Sequence, residues 1–168
     1  MKKQTILIDN IDVFIFDFDG VLTNNLVYID QEGKEIVSCS RADGLAFDVL
    51  KKLNKKSFIL STEKNSVVAM RARKLKIPVM QGVFNKVEAI KELIEKNNYN
   101  LKNILYVGND LNDYRVMKLC GYTACPADSH ERIKNISKIL LTKNGGDGVV
   151  RELLEEVLNL DFIKILNY

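Results

Sequence analysis

The stretch Val13-Phe14-Ile15-Phe16-Asp17-Phe18-Asp19-Gly20-Val21-Leu22-Thr23 decides how the rest of the chain is read. Four consecutive apolar residues form the pattern of a strand buried on both faces, and the run stops at two aspartates and a glycine. The carboxylates therefore stand at the strand's carboxyl end. Downstream, short apolar runs at 57–60, 79–80, 104–107, 122–124 and 139–141 alternate with amphipathic stretches at 45–53, 67–75, 87–96, 114–119 and 148–158. This alternation predicts βα units, hence an α/β fold around a central parallel sheet. One insertion interrupts it. Leu26-Val27-Tyr28-Ile29, the turn Asp30-Gln31-Glu32-Gly33, and Glu35-Ile36-Val37-Ser38 predict a β-hairpin within 24–40.

Composition bounds the remaining possibilities. The 168 residues, 46% hydrophobic and 28% charged, suit one domain over 1–168 and exclude disordered and fibrous classes. A net charge of +3, with both signs interspersed, argues for no nucleic-acid partner and no membrane surface. Apolar runs stay far below the ~20 residues of a membrane span, and Asp9, Asp12, Asp17 and Asp19 break up any export signal. Cys39, Cys120 and Cys125 include no Cys-x-x-Cys pair, so reduced thiols and a cytoplasmic location are expected. The tail at 159–168 is apolar for a chain end and is expected to dock.

In an open parallel sheet, ligands bind beyond the carboxyl ends of the strands. Three strands here end in polar clusters: Asp17 to Thr23, Ser61-Thr62-Glu63-Lys64-Asn65, and Gly108-Asn109-Asp110-Leu111-Asn112-Asp113. If the sheet brings them together, up to four carboxylates converge, which is unfavourable without a cation. Oxygen-only donors of this kind suit Mg²⁺ and substrate phosphate. Asp17 is then a candidate nucleophile, and Asp19 a candidate acid and base for the leaving oxygen and water. Lys86 would offset charge on a transferring phosphoryl group, and Thr62 would bond one of its oxygens. Each cluster also has a plainer reading. Ser61-Thr62 and Asp113 could only cap helices, and Lys86 could be a solvated helix lysine.

The four ordered motifs, Asp17-Phe18-Asp19-Gly20-Val21-Leu22-Thr23, the hydroxyl residue after the second strand, Lys86, and Gly108-Asn109-Asp110-Leu111-Asn112-Asp113, resemble those of the haloacid dehalogenase-like (HAD) phosphatase superfamily. The hairpin in place of a cap domain, and Gly145-Gly146-Asp147-Gly148-Val149-Val150-Arg151-Glu152, are similar to the capless branch. That branch contains 3-deoxy-D-manno-octulosonate 8-phosphate phosphatases and the phosphatase-like portion of some acylneuraminate cytidylyltransferases. The resemblance implies a three-layer Rossmann-like fold, Mg²⁺ dependence, an aspartyl-phosphate intermediate and a homotetramer whose neighbouring subunits complete each site. Asp17 and Asp19 are implied metal ligands together with either Asp110 or the amide oxygen of Asn109, with Asp113 behind them. The alternative within the same branch is a phosphatase-like partner or a non-catalytic oligomerisation module.

Ser61-Thr62-Glu63-Lys64, followed by Arg71 and Lys74, is similar to enzymes acting on nine-carbon 2-keto-3-deoxy sugar acid 9-phosphates. Arg71 and Lys74 share one helix face and are candidates to hold a carboxylate, with Glu63 accepting from sugar hydroxyls; otherwise they are a solvated face. Arg151 is a candidate to reach a phosphate or a neighbouring subunit. Two positions depart from the pattern: Ala42 stands where the branch often has arginine, and Asn109 where many members have aspartate. His130 reads as a surface or capping residue. Cys120 and Cys125 read as small buried side chains.

Overall fold

A computed structural model describes residues 6–168. Its strands are β1 (Val13–Phe16), β2 (Tyr28–Ile29), β3 (Glu35–Ile36), β4 (Lys56–Leu60), β5 (Val79–Met80), β6 (Ile104–Val107), β7 (Tyr122–Cys125) and β8 (Ile139–Leu140). The α-helices are α1 (Arg41–Lys52), α2 (Ser66–Leu75), α3 (Lys86–Asn97), α4 (Tyr114–Met117), α5 (Glu131–Ile136), α6 (Val149–Glu152) and α7 (Phe162–Leu166). Six strands make one parallel sheet in the order β5-β4-β1-β6-β7-β8, and β2 pairs antiparallel with β3.

The alternation of side chains along β1 builds a layer on each face of the sheet. Phe14 and Phe16 enter a cluster with Phe47 and Leu50 of α1, Val68 of α2, Phe162 of α7 and Leu154 of the turn that follows α6. Val13 and Ile15 enter the opposite cluster, with Ile90 of α3, Val116 of α4 and Ile133 of α5. The result is the Rossmann-like three-layer arrangement. Phe16 lies opposite Ile59 of β4 and Val107 of β6, so the carboxyl ends of these three strands are neighbours. The chain goes to one side of β1 to form β4 and to the other to form β6, which is the crevice where α/β sheets bind ligands.

Several elements differ from the pattern read in the sequence. The hairpin ladder is shorter than expected, because past Ile36 the chain leaves it and Cys39 instead bridges to Thr23 at the hairpin's root. Helix α1 begins at Arg41, with the Ser40 hydroxyl accepting from the Ala42 N–H, so Arg41-Ala42-Asp43-Gly44 is a first helical turn rather than a loop. The stretch expected as one helix over 148–158 is α6 followed by a π-helical turn at Leu153–Val157. The tail docks as α7, with buried Phe162 beneath the Arg151 guanidinium at 4.6 Å. Among the described residues no helix is long and apolar enough to cross a membrane.

Phe16 meets Phe47 edge-on, with ring centroids 5.2 Å apart, and neither ring touches water. Phe16→Ala is expected to cost about 3–5 kcal/mol by leaving a cavity under α1. Urea unfolding measures this, and a loss below about 1 kcal/mol would contradict the assigned core.

Candidate active site

The loops after β1, β4 and β6 enclose a cleft of about 280 Å³ lined by Asp17, Asp19, Asn25, Ser61, Thr62, Asn109 and Asp110, with Leu111 and Asn112 at its rim. Asp17 continues the β1 ladder, its N–H donating to the Val107 carbonyl at 2.9 Å. Its carboxylate is buried, and Oδ1 accepts from the Phe18 N–H at 2.8 Å and faces the Lys86 Nζ at 2.9 Å. Lys86, the first residue of α3, is itself buried. Its ammonium also donates to Asp113 Oδ1 at 2.7 Å, so it stands between two carboxylates. The solvated-lysine alternative is thereby set aside.

Asp113 is wholly buried and heavily bonded. Its Oδ1 also accepts from the Tyr106 hydroxyl at 2.7 Å, and its Oδ2 from the Asn109 N–H at 2.9 Å. Asp113 thus holds Lys86 and the loop after β6 in one geometry, from behind the cleft. Asp110 caps the short 3-10 turn at Leu111–Asp113. Asn65, not Ser61 or Thr62, caps α2, which leaves exposed Thr62 free to face the cleft.

Burial drives the titration here. It pushes the Asp17 carboxyl well above its ordinary value, the Asp113 charge adds to the rise, and Lys86 opposes both. On Lys86, burial disfavours the charge, but Asp17 and Asp113 outweigh it and the ammonium is held. Asp19 is raised by burial and then by the charge of Glu63, against a bond from Thr23. The Thr23 hydroxyl donates to Asp19 Oδ1 at 3.5 Å and accepts from the N–H groups of Gly20 and Asn25.

An oxygen-seeking cation fits this cleft. Asn109 Oδ1 is buried without a partner, and the carboxylates of Asp17 and Asp110 line the same cleft. The approach of Asn109 depends on Gly20, where a Cβ would fall 1.9 Å from Asn109 Nδ2 and where φ is +76°. The expected convergence of four carboxylates is corrected, because Asp113 is turned away from the cleft into its own bonds. Among the described residues no group of three His, Cys, Asp or Glu side chains is close enough to hold a metal unaided. The orphaned Asn109 Oδ1 is an oxygen donor available beside the carboxylates of the cleft.

Other sequence candidates lie elsewhere. The Arg71 guanidinium donates to the Ser40 carbonyl at 2.8 Å, tying α2 to the start of α1, and does not line the cleft. Lys74 is exposed on α2 and also absent from the cleft wall. Arg151 pairs with Glu155, one turn on, at 3.0 Å and covers Phe162, which keeps it at the C-terminal packing. Glu63 Oε1 accepts from the N–H groups of Lys64 and Asn65, so the side chain folds back on its own loop. His130 caps α5 by accepting from the Arg132 N–H.

Two contributors had no signal in the pattern, and a third, Gly145, was marked only as part of the segment from Gly145 to Glu152. Tyr106 lies in an apolar strand. Asp43, in the first turn of α1, accepts from the N–H groups of Val150 and Arg151 and so fastens α6. Gly145 packs on the Asp19 loop so closely that a Cβ would fall 2.3 Å from the Gly20 carbonyl oxygen, while the Gly146 N–H donates to the Val21 carbonyl.

Residues 48–153 match the haloacid dehalogenase-like hydrolase family, and the chain belongs to it. The 3-deoxy-D-manno-octulosonate 8-phosphate phosphatase KdsC of Salmonella typhi is 32% identical over 151 residues, 89% of this chain and 80% of that protein. Among solved structures, a HAD family hydrolase from Streptomyces avermitilis superposes with a TM-score of 0.91 at 39% identity, covering 95% of this chain and 92% of that one. The 3-deoxy-D-manno-octulosonate 8-phosphate phosphatase of Moraxella catarrhalis, solved with magnesium, phosphate and KDO, superposes at 0.85 with 28% identity over 95% of this chain and 90% of its own.

Lys86→Met would leave two buried carboxylates without their cation, and a loss of about 3–5 kcal/mol is expected in chelator at pH 7.5. Because the folded state then binds more protons than the unfolded one, the loss should shrink as pH falls toward 5.5; an unchanged urea midpoint would refute the pairing. Asp43 gives a second test, since burial lifts its carboxyl from 3.8 to about 6. Between those values the folded chain holds the extra proton, so this group's contribution is full below 3.8 and is lost as pH rises through about 6. The Asp43→Asn variant should lack that falling segment, which then appears in the difference between the wild-type and variant stability curves; a flat difference from about pH 4 to 7 would contradict it.

Proposed function

We propose that this chain is a Mg²⁺-dependent phosphatase that removes the terminal phosphate of a 2-keto-3-deoxy sugar acid, an octulosonate 8-phosphate or a nonulosonate 9-phosphate. The chain is a phosphoric monoester hydrolase of the HAD type. The observation that carries the reading is buried Asp17 paired with Lys86 at 2.9 Å in a cleft that also holds Asp19, Thr62 and Asp110. The octulosonate substrate of the Salmonella relative, and the magnesium, phosphate and KDO of the Moraxella structure, support the substrate class and the metal.

In this account an Asp17 carboxylate oxygen attacks phosphorus while the ester P–O bond breaks. The electron pair leaves on the sugar oxygen, which takes a proton from Asp19. Burial, and then the charge of Glu63, raise the Asp19 carboxyl, the direction a proton donor needs. Water then attacks phosphorus, gives a proton to Asp19 and expels the Asp17 carboxylate, so phosphate forms and both residues are restored. Thr62 donates to a phosphoryl oxygen, and Lys86 offsets charge beside Asp17. A bound Mg²⁺ neutralises phosphoryl oxygens; Asp17, Asp19, Asp110 and the Asn109 amide oxygen would hold it.

The exposed apolar hairpin, with Leu26, Val27, Tyr28, Ile29 and Ile36 in water, supports a homotetramer in which neighbouring copies shield the cleft. A cytoplasmic setting fits the three free cysteines. Asp17→Asn is expected to lower phosphate release by on the order of 10³-fold or more. Chelation should abolish release and added Mg²⁺ restore it. A wild-type protein that frees no phosphate from either sugar acid phosphate or from p-nitrophenyl phosphate would overturn the reading.

A further inference from the structure

Among the described residues, Asn25, Asn54, Lys76, Asn98, Asn159 and Asn167 are the non-glycine positions of positive φ. The last five each end a helix or a helical turn, where a left-handed residue closes the final backbone bonds. Asn25, at φ +63°, follows no helix. It stands between the Asp19 loop and the hairpin, and it lines the cleft that holds Asp17, Asp19 and Thr62. A left-handed side-chain-bearing residue in such a place is held there by its surroundings.

The Thr23 hydroxyl does the holding. Its oxygen accepts from the Asn25 N–H at 3.2 Å and its proton goes to Asp19 Oδ1 at 3.5 Å, so Asn25 and the carboxylate that serves the leaving oxygen are fixed by one buried side chain. Asn25 therefore borders the leaving-group side of the cleft. Its carboxamide is unspent. Among the described residues it enters no hydrogen bond, whereas Oδ1 of neighbouring Asn24 accepts from the Leu26 N–H at 3.3 Å.

We propose that the Asn25 carboxamide recognises the hydroxyl on the carbon next to the phosphoester carbon, and so selects polyhydroxylated leaving groups. The assignment rests on the phosphatase reading and deepens it. That hydroxyl is the first polar group of the sugar beyond the oxygen that Asp19 protonates. It both donates and accepts, and a carboxamide answers both through Oδ1 and Nδ2. A neutral group also suits this cleft, because a carboxylate at position 25 would repel the phosphate and an ammonium would compete with the metal. Asparagine supplies donor and acceptor while tolerating the left-handed backbone that the Thr23 hydroxyl imposes.

The full-length Asn25→Gly variant tests it, since glycine adopts the same φ without strain and only the amide is removed. The kcat/KM for octulosonate 8-phosphate should fall about three- to tenfold, the worth of one lost neutral hydrogen bond. The 7-deoxy analogue, which lacks that hydroxyl, should already be poorer by a similar factor with the wild-type protein and should lose little more in the variant. p-Nitrophenyl phosphate has no hydroxyl there and should fall much less than the sugar acid ester. Equal losses on all three esters would mean that Asn25 only shapes the Asp19 loop, and would overturn the assignment. So would an unchanged kcat/KM, or a hydroxyl-selective loss in Asn112→Ala instead. A wild-type protein that hydrolyses none of the three refutes the phosphatase reading itself, whereas one active on p-nitrophenyl phosphate alone refutes the hydroxyl recognition and leaves the phosphatase chemistry standing.

Discussion

A lysine ammonium held between two buried carboxylates is the constraint on which this molecule turns. Removing three charged groups from water is costly unless each finds its counterpart and further hydrogen bonds. Lys86 meets this condition by lying 2.9 Å from Asp17 and 2.7 Å from Asp113. Each of the three comes from a different segment: the end of β1, the start of α3 and the turn after β6. The pairing therefore dictates how these segments approach one another, and the Tyr106 hydroxyl and the Asn109 N–H complete the demand of Asp113. What lies on the open side of Asp17 is a cleft of oxygen donors with one orphaned amide oxygen, Asn109 Oδ1. The same burial that makes the triad expensive also lifts the Asp17 and Asp19 carboxyls, and so ties the stability of the core to the chemistry of the cleft.

Support for this centre comes from regions distant in sequence. Asp43 in α1 fastens the start of α6, and the glycines before α6 lie against the backbone of the Asp19 loop. Arg71 anchors the root of the hairpin through Ser40, next to the bridge between Thr23 and Cys39. These contacts brace the loop that follows Asp17 from two sides. They leave the hairpin itself projecting, with its apolar side chains in water.

Much of this was legible in the sequence because the chemistry demands particular residue types at strand ends. An apolar run that stops at Asp17-x-Asp19 can be read as a buried strand bearing carboxylates, and the βα alternation then brings 61–65 and 108–113 to the same edge. Directions of long side chains were not legible. Arg71 reads with Lys74 as a carboxylate-holding face and Arg151 as a reach toward a phosphate or a neighbouring subunit; in the fold the Arg71 guanidinium donates to the Ser40 carbonyl and Arg151 pairs with Glu155. Tyr106 is hidden for the opposite reason: a phenol inside Ile104-Leu105-Tyr106-Val107 reads as core, and only the fold brings its hydroxyl to Asp113. Asp43 drew no reading of its own because nothing local reveals the N–H groups of α6, more than a hundred residues on. The π-helical turn after α6 likewise has no signature in a run of leucines and glutamates.

The central claim is that Asp17 accepts the phosphoryl group. Quenching a single turnover of octulosonate 8-phosphate with borohydride, which reduces an acyl phosphate to the alcohol, and sequencing the peptides by mass spectrometry tests it most directly. The account predicts homoserine at residue 17, dependent on substrate and on Mg²⁺. Substrate turnover that leaves residue 17 as unmodified aspartate, or that yields homoserine at residue 19 or 110 instead, would contradict it.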